Sequence, residues 1–306
     1  MTDPFHVLRA PVTPADPDPG FAARLRARLA RALDLPEGVT VSDTGSLPRQ
    51  HPAPVAAVRR GVRAQARPAS QRPGGIGYAS LWVPDGDRAA AFYAAVLGWE
   101  YAPGSGPAGR RVRDVSPAQG LWGGQPRSTL FCSYLVDDAA AAVDRARAAG
   151  GTVGDPVPQP YGLSADGTDN QGIRFALHQP PAGGPAAGPA QAPAARDGDL
   201  IYVTMEVPDT GRARDFYGAV LGWQFRPGRV SDGWQVEGTT PMIGLVGGRD
   251  AAAVPVWRAG DLAAAVARVR AAGGAATEPS PEPYGLITDC TDDQGTRFCL
   301  CQFPPG

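Results

Sequence analysis

The strongest constraint on this chain is repetition. Residues 83–101, VPDGDRAAAFYAAVLGWEY, return at 207–225 as VPDTGRARDFYGAVLGWQF, with 12 of 19 positions identical and no gap. Further blocks recur in the same order: DDAAAAVDRARAAGG (137–151) and GDLAAAVARVRAAGG (260–274), PYGL (160–163 and 283–286), TDNQGIRFALHQ (168–179) and TDDQGTRFCLCQ (291–302). The unit that repeats is a domain of about 100 residues, far longer than a solenoid repeat. A chain of 306 residues suits two such cores.

Within each copy the patterning alternates between strand and helix. YASLWV (78–83) reads as a strand, and Asp85 to Leu97 as a helix with Ala89, Phe92 and Val96 on one face and Gly98 as its stop. Short strands are expected near 110–115, 119–124 and 128–136, then a helix within 137–151 and a last strand in 173–179. The order is β-α-β-β-β twice per domain. The fold class expected is α+β, with two tandem domains, each of two βαβββ halves. The domains are placed at 76–180 and 199–304, joined by a Pro/Ala/Gly linker at 181–198.

Residues 1–75 read as an N-terminal extension. Phe21, Leu25, Leu29 and Leu33 form one stripe of an amphipathic helix at 19–34, capped by Asp18 and opened by Pro19. The stripe is expected to dock on the protein itself or on a second subunit, giving a homodimer through this helix, while Arg24, Arg28 and Arg31 face solvent. A Pro/Arg-rich tether follows. The net charge of −1 gives no reason to expect a nucleic-acid partner. All 29 basic residues are arginine, which removes any Schiff-base lysine. The four cysteines contain no Cys-x-x-Cys pair, and no run of 18 apolar residues occurs. The reading is of a reduced, cytoplasmic protein with no membrane partner.

The FY…VLGW helix and the D-x-x-G-x-x-F turn into the last strand, both present twice, resemble the vicinal oxygen chelate superfamily. That superfamily includes glyoxalase I, bleomycin-resistance proteins and extradiol dioxygenases. The resemblance covers 77–180 and 200–303 and implies strands that curl around an open cleft. In metal-dependent members it implies a His or Gln on the first strand, a His at the strand before the second helix and a Glu on the last strand. Here those positions fall on Tyr78 and Tyr202, near Phe131 and Val254, and on Ala176 and Cys299. None is His, Glu or Gln. His6 and His51 lie outside both domains and His178 stands alone. A catalytic divalent metal needs about three converging protein ligands, so neither a metal nor another cofactor is expected.

Strand alternation places Tyr78, Ser80 and Trp82 on one face, with Tyr202, Thr204 and Glu206 as their counterparts, and the resemblance implies that this face looks into the cleft. Arg174, Ala176 and His178 share a face of the last strand, as do Arg297, Cys299 and Cys301. Aromatic rings and arginine forks suit a flat molecule bearing an acidic group, or the rings simply fill the cleft. Glu206 is read either as a general base with a pKa raised by burial, assisted by Tyr202, or as an arginine's ion-pair partner. Cys299 and Cys301, with Cys290, are read as small buried hydrophobes, a thiolate site being the alternative.

The expected function is metal-independent binding of a small aromatic or polycyclic specialised metabolite, for sequestration, resistance or as a pathway accessory. A cofactor-free isomerase, cyclase or lyase acting through Glu206 and Tyr202 is the alternative.

Overall fold

The computed structural model describes residues 72–181 and 195–304; the expected helix at 19–34, its homodimer contact and most of the linker lie outside these described residues. The first domain runs β1 (Ile76–Trp82), α1 (Gly86–Leu97), β2 (Tyr101–Pro103), β3 (Gly109–Val112), β4 (Ala118–Trp122) and β5 (Thr129–Leu135). It continues with α2 (Ala139–Ala148), β6 (Thr152–Val153), β7 (Val157–Gln159), β8 (Gly162–Thr168) and β9 (Arg174–Gln179). The second domain repeats this order as β10 (Leu200–Glu206), α3 (Thr210–Leu221), β11 (Phe225–Pro227), β12 (Gly233–Val236), β13 (Met242–Val246) and β14 (Ala252–Arg258). Its remaining elements are α4 (Leu262–Ala271), β15 (Ala275–Ala276), β16 (Ser280–Glu282), β17 (Gly285–Thr291) and β18 (Arg297–Gln302).

Each helix begins where a side chain satisfies its first orphan N–H groups. Asp85 accepts from the backbone of Asp87 and Arg88, and Asp138, Asp209 and Asp261 cap α2, α3 and α4 in the same way. The first helix of each domain ends on a glycine in the left-handed region, Gly98 and Gly222, both at φ 70°.

Each domain forms one mixed sheet. In the first domain the order is β2-β3-β4-β1-β5-β9-β8-β6, with β7 beside β8, and the second domain repeats it strand for strand. The first strand of each half runs parallel to the half's last long strand, and β1 joins β5 antiparallel at the centre. Successive residues on β1 therefore point to opposite faces of one continuous curved sheet. Ala79 and Leu81 enter the core, while Tyr78, Ser80 and Trp82 occupy the other, cleft-side face.

The core is shared between the domains. Tyr93 of α1 meets Trp257 and Phe298 of the second domain at ring-centroid distances of 5.3 and 5.7 Å. In mirror fashion, Tyr217 of α3 meets Tyr134 and Phe175 of the first domain at 6.1 and 6.4 Å. The polar groups follow the same exchange. Tyr93 Oη donates to Asp292 at 3.2 Å, and Tyr217 Oη donates to Asp169 at 3.0 Å. Gln294 bonds both backbone polar groups of Asp85, and Gln171 does the same for Asp209. Trp99 and Trp223 donate their indole N–H groups to Gly198 and Gly74. The two repeated motifs are thus the two halves of an interdomain lock: the FY…VLGW helix of one copy closes on the D-x-x-G-x-x-F turn of the other.

Asp169 and Asp292 are buried, and each also holds two backbone N–H groups of its own turn. Removing a tyrosine hydroxyl strips a hydrogen bond from a buried carboxylate. Tyr93→Phe and Tyr217→Phe should each destabilise the chain by roughly 1.5–3 kcal/mol in urea denaturation. A loss below about 0.5 kcal/mol, the size of an ordinary surface effect, would contradict the lock.

Candidate functional site

The cleft face of the first domain is organised by its register. Tyr78 on β1 pairs with Ser133 on β5, Ser133 pairs with Ala176 on β9, and Ala176 pairs with Asp166 on β8. In the second domain the same row is Tyr202, Val256, Cys299 and Asp289. This corrects one position: Ser133 and Val256, not Phe131 and Val254, stand in line with the first-strand tyrosine and the last-strand position. The tyrosines lean across the neighbouring strand, where a Cβ on Gly120 would collide with Tyr78 Oη and one on Gly244 with Tyr202 Oη.

These rows do not fit a divalent metal. The first offers a single carboxylate beside a tyrosine, a serine and an alanine. The second offers Cys299 and Tyr202 beside Asp289, but both are held in their protonated forms. Burial and the Asp289 carboxylate drive the Cys299 thiol well above its ordinary range, and it donates to Asp289 at 3.3 Å. Burial likewise raises Tyr202, whose hydroxyl has no partner among the described residues. Among the described residues no group of three or more His, Cys, Asp or Glu side chains converges.

The two clefts have diverged. Tyr202, Met242, Val254, Val256, Tyr284, Ile287, Cys299 and Cys301 form a buried apolar cluster that fills the second cleft. Tyr202 is 1% exposed and Cys301 0%, so neither they nor Cys299 present a ligand-facing surface. Cys290 pairs with core-facing Phe298 and lies on the opposite face of the sheet, which rules out a joint thiolate site. Thr204 is half-buried on the cleft face. In the first cleft, Ser80, Phe131 and Ser133 form a buried floor, and Tyr78 remains partly open. His178 Nε2 lies 3.0 Å from the Tyr161 carbonyl, and the two rings meet edge to face. Tyr161 is exposed whereas its repeat partner Tyr284 is buried.

At the C-terminal end of β1 the domains differ by a single swap with large consequences. Trp82 stacks on Phe131 at 4.4 Å with an interplanar angle of 11°, and the Arg174 guanidinium covers the ring at 4.3 Å. Phe131 and Arg174 therefore take opposite faces of the indole, giving a three-layer stack. The equivalent of Trp82 is Glu206, and the equivalent of Arg174 is Arg297. There the arginine forms a bidentate pair with the carboxylate at 2.7 and 2.8 Å, and Arg249 adds a third bond at 2.8 Å.

These contacts favour the ionised form of Glu206. Burial alone pushes its carboxyl up, but the hydrogen bonds and charges of Arg297 and Arg249 outweigh burial and hold the pKa below the ordinary 4.5. Of the two readings of Glu206, the arginine ion pair is the one these side chains form, and its pKa is lowered, not raised.

Between the domains lies a groove of about 660 Å³. The first domain lines it with Trp82, Arg127, Thr129 and Arg174; the second contributes Ala252, Val254, Gln294 and Arg297. Arg127 and Arg249 were not anticipated from sequence. Each is a single arginine in the loop entering β5 or β14, and one arginine per loop gives no spacing pattern to read.

The pH dependence of Glu206 follows from the sign of its shift. A carboxylate with a lowered folded-state pKa contributes its stability above about pH 4.5, and that contribution is lost as pH falls through the lowered value. Because the partner arginines are half exposed, Glu206→Gln should cost roughly 1–2 kcal/mol at pH 7 by urea denaturation. The difference from the parent chain should shrink as the medium is acidified below pH 4.5. A difference that stays constant with pH would contradict the paired, ionised state.

Among solved structures, the fold is similar to the Mn(II)-bound glyoxalase from Novosphingobium aromaticivorans, with 17% identity, 76% of this chain and 82% of that one covered, and a TM-score of 0.58. It is also similar to the 2,3-dioxygenase LapB from Pseudomonas sp. KL28, at 15% identity, 77% and 95% coverage and a TM-score of 0.58. The 2,2',3-trihydroxybiphenyl 1,2-dioxygenase from Sphingomonas wittichii strain RW1 shares 15% identity over 76% of this chain and 91% of that one, with a TM-score of 0.55. At these identities the likeness is one of fold. No curated protein gives a significant sequence match. The family model of the glyoxalase-like domain matches residues 80–177 and again 202–301, more than half of the chain. The chain therefore belongs to the glyoxalase-like domain family, as a tandem member of the vicinal oxygen chelate superfamily.

Proposed function

We propose that this chain binds a small, flat aromatic molecule in the groove between its two domains, without a metal, so as to sequester or shelter a specialised metabolite. The observation that carries the reading is the Phe131–Trp82–Arg174 stack. Phe131 closes one end of it inside the protein, while Trp82 and Arg174 line the groove. The groove-side end is therefore a guanidinium plane already fixed over a ring. A guanidinium in that position accepts a further aromatic surface while keeping its edge free for hydrogen bonds. The groove volume suits a compact multi-ring ligand. The rows across the two clefts supply no metal donor set, so binding is assigned to the stack alone.

The cofactor-free isomerase, cyclase or lyase reading drew on Glu206 and Tyr202. Glu206 is tied to two arginines, and Tyr202 is buried in the cluster that fills the second cleft. Neither is placed to move a proton on a bound molecule, and that reading is not taken up.

Titration of a panel of polycyclic aromatic compounds, followed by tryptophan fluorescence, tests the proposal. Trp82→Ala should weaken binding by about three- to tenfold, the worth of one aromatic or cation–π contact. Prior dialysis against EDTA should leave the affinity unchanged, and mass spectrometry should recover the ligand unaltered. A loss of binding after EDTA that added metal restores would overturn the metal-free reading.

A further inference from the structure

The groove is also distinctive in its charge. Its walls carry three arginines, Arg127, Arg174 and Arg297, and no aspartate or glutamate. Arg127 has no ion-pair or hydrogen-bond partner among the described residues. Arg174 spends its charge on the face of Trp82, with Asp166 acting on it from β8. Arg297 shares the carboxylate of Glu206 with Arg249, while Asp289 also acts on Arg297 and Asp250 stands on the rim of the adjoining pocket. The charged side chains that line the groove itself are thus all positive, and Arg127 is the one among them left without a partner among the described residues. This positive charge is contributed from both domains: Arg127 stands on the loop entering β5, and Arg297 opens β18. Hydroxyl and amide groups of Thr129, Gln125 and Gln294 complete the lining.

Resting on the proposed aromatic site, we infer that its ligand is an anion: an aromatic carboxylate, sulfonate or phosphate ester whose ring extends the Trp82–Arg174 stack and whose acidic group is held by Arg127 and Arg297 from opposite domains. The tandem arrangement then has a direct role. One domain supplies the platform and the other supplies part of the anion receptor, so the ligand reads the seam rather than either cleft. Glu206 competes with the ligand for Arg297 and sets how much of that receptor is available.

Two fluorescent probes that share one ring system separate this inference from the reading beneath it. They are 1-anilinonaphthalene-8-sulfonate, an anion, and N-phenyl-1-naphthylamine, its uncharged counterpart. Both should bind the full chain, and both should weaken in Trp82→Ala. The sulfonate should bind about tenfold more tightly, the usual worth of a charge-assisted contact, and this preference should fade with added salt. Arg127→Gln should erase most of the preference and leave the neutral probe unchanged. Glu206→Gln, which frees Arg297, should strengthen the sulfonate alone. Equal affinities for the two probes, with no response to Arg127→Gln, would overturn the anion inference and leave the aromatic site standing. Binding of neither probe, or binding indifferent to Trp82→Ala, would overturn both.

Discussion

The structure depends on a buried tyrosine hydroxyl of one domain donating to a buried aspartate of the other, made twice. Tyr93 reaches Asp292 and Tyr217 reaches Asp169, and each aspartate at the same time fixes its own turn through two backbone N–H groups. A buried carboxylate without its donor is costly, so neither turn is complete until the other domain is in place. The aromatic core obeys the same rule, because α1 packs its rings on the second domain and α3 on the first. The tandem is one folding unit with internal pseudo-symmetry, and the seam where β5 and β14 approach each other is a consequence of that lock.

The symmetry of the scaffold makes the asymmetry of its surfaces informative. The same strand position holds Trp82 in one copy and Glu206 in the other, and each dictates what its arginine does: stack in the first, pair in the second. The same row holds Ser133 and Ala176 in one copy, Val256 and Cys299 in the other. The second set, with Met242, Ile287 and Tyr284, closes its cleft with apolar side chains. A cleft so filled serves as a second small core. What remains open to a small molecule lies along the first domain and the seam, where positive charge collects.

Much of this was legible in the sequence, because the features involved are local and repeated. The period-2 strands, the Asp caps and the glycine stops placed the βαβββ order, and the doubled blocks placed the two domains. The face shared by Tyr78, Ser80 and Trp82 followed from alternation alone. What escaped was whatever depends on register or on contact between distant segments. A two-residue offset along β5, which keeps the same face of the strand, separates Phe131 from Ser133, the residue that stands opposite Tyr78. The equivalence of Tyr202 and Tyr78 concealed that one is sealed in and the other is not, since burial is decided by Met242, Tyr284 and Ile287 from three other segments. Sequence leaves Glu206 open between a base and an ion-pair partner because its partners, Arg249 and Arg297, are 43 and 91 residues away. Nor does the pattern announce that the FY helix and the D-x-x-G turn grip each other across copies, although both halves of the lock stood in plain view.

The most direct measurement of the account is diffraction from crystals of the full chain grown with 1-anilinonaphthalene-8-sulfonate. One molecule should bind per chain, its rings continuing the Phe131–Trp82–Arg174 stack and its sulfonate against Arg127 and Arg297. Density for the probe inside the cleft of either domain, with the seam groove empty, would contradict it.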